Sequence, residues 1–291
     1  MVRAARPGIV NAMSVDIEEY FQVGAFERTI RRDDWESIAS RVEYNTQLVL
    51  DLYAEAGVKA TFFTLGWVAE RHPDLIRRIV AEGHELASHG YAHDRVHTMT
   101  PDAFRGDLRR AKALLENAGG TPVVGYRAPS FSIGKANAWA LEVLADEGYA
   151  YSSSVAPFGT DHYGWPGFPR FAHCPVPGSP MVEVPVTTAR LGGRVLAAGG
   201  GGFFRLLPYG FSRWAISQVN ELERQPAVFY FHPWEVDPDQ PRVAGAPAKS
   251  RLRHYTNLGV MAAKLRRLMR DFRWDRMDRV YLAPASLQAA A

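Results

Sequence analysis

From residue 9 to residue 153, short apolar runs alternate with longer stretches whose apolar residues recur every three or four positions, and this rhythm limits the fold more than any other feature. Residues 9–15 are apolar and partly β-branched and deliver Asp16 at their end, as a buried parallel strand does. Ile38, Val42, Val49, Leu52, Tyr53 and Ala56 then keep helical spacing until Gly57 stops it. Residues 60–65 read as a second strand. Pro73 opens a helix that ends at Gly83, and residues 85–88 form a third strand running into His89. Thr100 and Pro101 open a helix closed by Gly119 and Gly120; 122–127 is a strand, 136–147 a helix and 149–153 a strand. Strand, helix, strand, repeated, predicts an α/β fold with helices outside a parallel sheet.

The rhythm breaks at 157–180, PFGTDHYGWPGFPRFAHCPVPGSP, where Pro, Gly and aromatics crowd together as in a functional loop. A strand over 181–187 follows, then a flexible turn at Gly199 to Gly202, a helix over 211–223 and a strong strand over 227–231 that ends on His232. Leu258, Met261, Leu265, Leu268 and Phe272 mark a long amphipathic helix, suited to the core or to a subunit contact, and 280–283 reads as a last strand. No linker or fixed-period repeat divides the chain. The expectation is one domain over 9–291, with core motifs in 9–235 and a helical extension over 236–291.

Cys174 is the only cysteine, so an intrachain disulfide and a thiolate zinc cluster are both excluded, and any metal must be held by His, Asp or Glu. The 34 basic and 31 acidic residues form no long block of one sign, which gives no reason to expect nucleic acid as a partner. No apolar run approaches the roughly 18 residues of a spanning helix, and none of signal-peptide length precedes the first acidic residues. These features predict a soluble, cytoplasmic protein.

Titratable groups sit immediately after the predicted strands: Asp16, Glu18 and Glu19 after the first, His89 and His93 after the third, then Arg127 and, late in the chain, His232. In an α/β barrel those strand ends converge on one face, where catalytic groups collect. His89 and His93 are four apart, so one helical turn or a tight loop puts both rings on one side; His84 and His97 lie close by, and spacing alone does not select among them. Three carboxylates within four positions repel one another unless a cation or an arginine offsets them. Two imidazoles and one carboxylate would leave a metal with open positions for water and substrate.

SVDIEEYF, SHGYAH, GYRAPSF and FYFHP, in this order and at these separations, resemble the motif series of the polysaccharide deacetylases, carbohydrate esterase family four, also called the NodB-homology domain. The likeness covers residues 9–235. VDIEEYFQV, HPWEVDP and KSRLRHYTNLGVMAAKLRRL further resemble the branch associated with exosortase-linked exopolysaccharide clusters. The resemblance implies a distorted (β/α)7-type barrel with its catalytic face at the C-terminal ends of the strands. It implies one divalent metal ion, zinc in the first place with cobalt or nickel as alternatives, on His89, His93 and Glu18, with Glu19 as the alternative carboxylate. Asp16 matches the general base, Arg127 the arginine paired with it, and His232 the histidine that protonates the leaving amine. Ser130 stands where a backbone N–H helps form the oxyanion hole, and Phe131 and Trp234 are expected on the substrate side. An aspartate that tunes the acid histidine in the family has no match near residues 151–155.

Acetamide hydrolysis needs an activated water, a stabilised oxyanion and a proton for a poor leaving group, and this inventory supplies each. The expected reaction is removal of N-acetyl groups from N-acetylhexosamine units of a polysaccharide or oligosaccharide, in exopolysaccharide biosynthesis. Two alternatives keep the fold: a glycan-binding or assembly protein of low turnover, and a metal-dependent amidase acting on peptidoglycan or a small cyclic amide. Sugar stacking is expected of Tyr91, Phe158, Tyr163 and Trp165 as well, and association with further copies of the chain is left open.

Overall fold

The structure, a computed structural model, describes residues 8–159 and 164–282. Its first half follows the sequence rhythm: β1 (Val10–Ile17), α1 (Val42–Ala56), β2 (Thr61–Thr64), α2 (Gly66–Arg71), α3 (Pro73–Ala81), β3 (Glu85–Ser88), α4 (Pro101–Gly119), β4 (Gly125–Tyr126), α5 (Trp139–Asp146) and β5 (Tyr151–Ser152). The second half is more broken: β6 (Val182–Glu183), β7 (Thr188–Leu191), β8 (Arg194–Ala197), α6 (Gly201–Leu206), α7 (Tyr209–Ser217), β9 (Val228–Phe231), α8 (Ala248–Tyr255), α9 (Leu258–Asp271), β10 (Arg273–Asp275) and α10 (Met277–Tyr281).

All the strands except the β7–β8 hairpin form one parallel sheet. β1 is its centre, with β9 on one side and β2, β3, β4, β5 and β6 following in turn on the other. Ala198 and Gly199 donate to the Thr187 carbonyl, and Tyr230 donates to that of Gly199, so this segment bridges the β6 side to β9 and curls the sheet into the expected distorted barrel. Seven of the eight residues of β1 are fully buried, which explains its continuous apolar reading.

Side-chain alternation separates two surfaces. Val15 and Ile17 face the layer under α1 and α9, while Ala12 packs inside the barrel with Phe63, Ala87, Tyr151 and Met277. Here the C-terminal stretch differs from an extension that is helical throughout. β10 pairs with the start of β1, and α10 sets Met277 and Val280 into the barrel interior, its first amide donating to Thr61 at the start of β2. Val280 and Tyr281 are therefore helical rather than extended, and Ala283 lies outside the described residues. Pairing of Val10 with Arg273 is a tertiary effect that local periodicity does not encode.

Candidate metal centre and active-site cleft

Parallel order brings the C-terminal ends of β9, β1, β3 and β4 to one side, so His232, Asp16, Glu18, His89 and Arg127 meet there. Ligand atoms of Glu18, His89 and His93 all lie within 4.8 Å of one another. His89 Nδ1 donates to the Arg127 carbonyl at 2.8 Å, which fixes the tautomer and leaves Nε2 as the free lone pair. Burial holds the His89 imidazole near pKa 4, neutral as a ligand must be. His93 Nε2 is 2.9 Å from Glu18 Oε2, yet that buried oxygen has no hydrogen-bond partner among the described residues. Three ligand atoms this close together, one of them an orphaned buried carboxylate oxygen, suit a shared cation. Burial would raise the Glu18 pKa, but His93 and His232 outweigh it and bring it to about 2.

The loop between the two histidines is tight rather than helical: Gly90 has φ 75° and His93 φ 58°. A Cβ at Gly90 would meet Asp107 Oδ2 at 2.9 Å, and that carboxylate accepts the Tyr91 amide at 3.2 Å. Glu19 is elsewhere. It accepts the Arg41 and Val42 amides and the Ser40 hydroxyl at the N-terminus of α1, which is also why that helix starts at Val42 rather than near Ile38. His84 Nδ1 accepts the Ala60 amide at 3.1 Å, and neither it nor His97 joins the cluster.

Arg127, fully buried, donates through Nη1 to Asp16 Oδ1 at 2.6 Å and to Ser14 Oγ at 2.8 Å. Its remaining donors reach Ser153 O and Oγ. Ser153 thus serves Arg127 from the segment in which no tuning aspartate is found. Asp16 Oδ2 makes no hydrogen bond to the described residues, and Asp16 lines a cleft of about 470 Å³ together with Glu18, His89, His93 and His232.

Across the cleft, His232 Nδ1 donates to Glu235 Oε1 at 2.9 Å, and His232 Nε2 faces Glu18 Oε1 at 3.5 Å. Burial would lower the His232 pKa; Glu18 and Glu235 overcome it and hold the value at about 9, so the ring is cationic at neutral pH. Glu235 is a buried carboxylate kept near pKa 2 against its burial, chiefly by Arg205. Arg205 Nε donates to it at 2.6 Å, and the guanidinium also reaches the carbonyls of Arg253, His254 and Thr256. Gly201, on the same helix, lies so close that a Cβ would stand 2.3 Å from Glu235 Oε1. The glycine run is therefore no flexible turn. Gly201 begins α6, and its missing side chain makes room for Glu235.

Residues 33–152 match the family model described as Polysaccharide deacetylase, and residues 153–282 match Domain of unknown function (DUF3473). Over residues 33–152 the chain carries a polysaccharide deacetylase domain. The cluster straddles both matches: His89, His93 and Arg127 lie in the first, His232 and Glu235 in the second, and Asp16 and Glu18 precede both. A chitooligosaccharide deacetylase of Rhizobium leguminosarum bv. trifolii is 34% identical over 100 residues, 34% of this chain and 44% of that protein. A peptidoglycan-N-acetylglucosamine deacetylase of Bacillus cereus is 35% identical over 75 residues, 26% of this chain and 27% of that one. The chain spans between about a quarter and a half of the length of these curated relatives. Among solved structures, Puue allantoinase superposes with a TM-score of 0.59 at 18% identity, over 94% of this chain and 88% of that one, a likeness of fold alone.

The cleft treats the expected aromatics unequally. Phe131 lines it, and with Ser130 it takes left-handed φ values of 49° and 55° that turn the backbone at the cleft wall. Tyr230, not anticipated, lines it beside Phe131 at 4.7 Å. Trp234 is only 6% exposed, stacks parallel to both His232 and His254, and points Nε1 at Glu18 Oε1 (3.4 Å); it packs the site rather than offering an open face. Tyr91 hydrogen-bonds Glu70 under Arg110, away from the cleft. Phe158 lines a separate apolar hollow, Trp165 packs on Phe168, and Tyr163 lies outside the described residues. Glu235 was legible as the fourth residue of His232-Pro-Trp-Glu, a short turn in which the carboxylate also accepts the His232 amide; Arg205 had no local signal.

Proposed function

We propose that this protein removes N-acetyl groups from N-acetylhexosamine units of a polysaccharide, hydrolysing the amide with a divalent metal, zinc first among the candidates. The observation that carries the reading is the Glu18, His89 and His93 donor set beside two oppositely prepared groups, Asp16 and His232, in one cleft. Bound there, the metal would polarise the acetyl carbonyl and make a water acidic enough to attack. Asp16, oriented through Oδ1 by Arg127, has Oδ2 to accept the proton of the attacking water. His232, held by Glu235 through Nδ1, presents Nε2 to the cleft to protonate the leaving nitrogen. Phe131 and Tyr230 supply apolar ring surface for the C–H faces of a sugar.

The named activities of the relatives support the substrate class, and the opening and C-terminal motifs support an exopolysaccharide as the polymer. The test is acetate release from N-acetylated chitooligosaccharides or native exopolysaccharide by zinc-loaded protein, with metal content measured alongside. Wild type should bind metal and release acetate, and His89→Ala should lose both. Equal behaviour of the two proteins would falsify the reading. The cyclic-amide alternative has only the shared fold behind it.

A further inference from the structure

The cleft has an aromatic part, Phe131 and Tyr230, and an outer part built by two connections: residues 23–28 after β1, and residues 247–254 around α8. With Arg95 these connections bring Arg28, Arg95, Lys249 and Arg253 to the lining, beside the one rim carboxylate among the described residues, Glu27. Arg95 pairs with Glu27 at 2.5 Å. Arg28 and Arg253 are exposed, and neither side chain has an ion-pair or hydrogen-bond partner among the described residues. The deeper carboxylates do not call for them: Asp16 is held by Arg127, Glu235 by Arg205, and Glu18 faces His93 and His232. Positive charge is thus concentrated at the mouth of one cleft in a chain whose formal net charge is only +3.

We infer that the glycan entering this cleft is anionic, with carboxylates of the uronic-acid kind on sugars flanking the N-acetylated one, received by Arg28 and Arg253. The inference deepens the N-deacetylase reading and rests on it. A guanidinium matches a carboxylate with two parallel N–H donors, and the pairing needs no fixed backbone at an exposed rim. A neutral glycan would leave the same arginines in water and gain nothing from their charge.

Two polymers with one backbone test this: 6-O-carboxymethyl chitin, which is anionic, and 6-O-hydroxyethyl (glycol) chitin, its neutral counterpart of similar bulk. At low salt, wild-type KM for acetate release should be roughly three- to tenfold lower on the carboxymethyl polymer, as two exposed charge pairs allow. The ratio should fall towards one in about 0.5 M salt and in the double variant Arg28→Ala/Arg253→Ala. Removing two exposed arginines elsewhere, Arg77→Ala/Arg270→Ala, should keep it, which separates a placed pair from net charge. Affinity electrophoresis in gels cast with each polymer reads the same preference without turnover. Acetate from both polymers with equal KM and equal retardation overturns the inference alone, as does a ratio that survives the double variant. No acetate from either polymer, with charge-dependent retardation that Arg28→Ala/Arg253→Ala abolishes, overturns the hydrolase reading and upholds the anionic ligand.

Discussion

Two buried arginines hold the two sides of the cleft, and they do so in different materials. Arg127 lies within the barrel; its donors reach Ser14 and Asp16 on β1 and Ser153 just past β5, and its guanidinium rests 4.0 Å from the Phe63 ring. Arg205 lies in the connecting layer, where its partners are one carboxylate and three carbonyls at the end of α8. The first arginine acts on Asp16 directly. The second acts on His232 only through Glu235. A sheet fixes its members by register, whereas a connecting layer has to fix them by side-chain bonds, so the Arg205 side should be the more easily disturbed by changes remote from the chemistry.

Asp16→Asn should have the largest effect, lowering kcat by about 10²- to 10⁴-fold, the usual worth of a general base. Metal content should stay near that of wild type because the Glu18, His89 and His93 set is untouched. A variant that retained turnover would move the base to another residue. Glu235→Gln should cost about 10- to 100-fold in kcat, on the scale of losing a carboxylate that orients a working histidine. It also leaves Arg205 buried beside a neutral group, and breaking such a pair destabilises by roughly 3–5 kcal/mol, visible as a drop in Tm. Gly201→Ala sharpens the contrast because it removes no charge. A methyl group aimed at Glu235 Oε1 should lower kcat and Tm in the same direction, with an overpacking cost of about 1–3 kcal/mol. Lower Tm with unchanged kcat in Gly201→Ala would show that the placement of Glu235 is structural only.

The same contrast explains what could be read from the chain. Asp16, Glu18, His89, Arg127 and His232 are each within one position of a strand end, and short apolar strands are among the clearest local patterns, so parallel order alone brings them together. Glu18 could not be told from Glu19 in the sequence, since the choice depends on Glu19 finding the amides of Arg41 and Val42 across a loop. Arg205 and Gly201 serve Glu235 from 30 or more positions away, with no periodicity to mark them. β10 escaped for a similar reason: a three-residue strand paired with the far end of the chain carries no local signal. The aromatic loop misled in the opposite way, because its composition suits a sugar wall but Trp165 and Phe168 are spent on packing.

Another buried carboxylate, Glu85, tests the reasoning where no arginine clamps the side chain. It sits at the start of β3, accepting from Tyr151 Oη at 2.9 Å and from the Asp278 amide at 3.2 Å, with Thr61 also bonded to it. Burial, and secondly Asp278, push its pKa up to about 8, opposite in direction to Glu235. In the unfolded chain a glutamate titrates at its ordinary value of about 4.3. The folded protein therefore holds the proton that the unfolded chain releases between those values, and the associated stability is full below the lower one and lost as pH rises through about 8. Stability measured by urea unfolding should decline across that window in wild type. Glu85→Gln keeps a neutral side chain of the same shape at every pH, so it should flatten the decline while leaving acetate release near wild type, Glu85 being at the opposite end of the strands from the cleft. An unchanged slope in Glu85→Gln would mean that Glu85 is ionised in the fold, and that burial without an arginine does not suffice to keep a carboxyl of this barrel neutral.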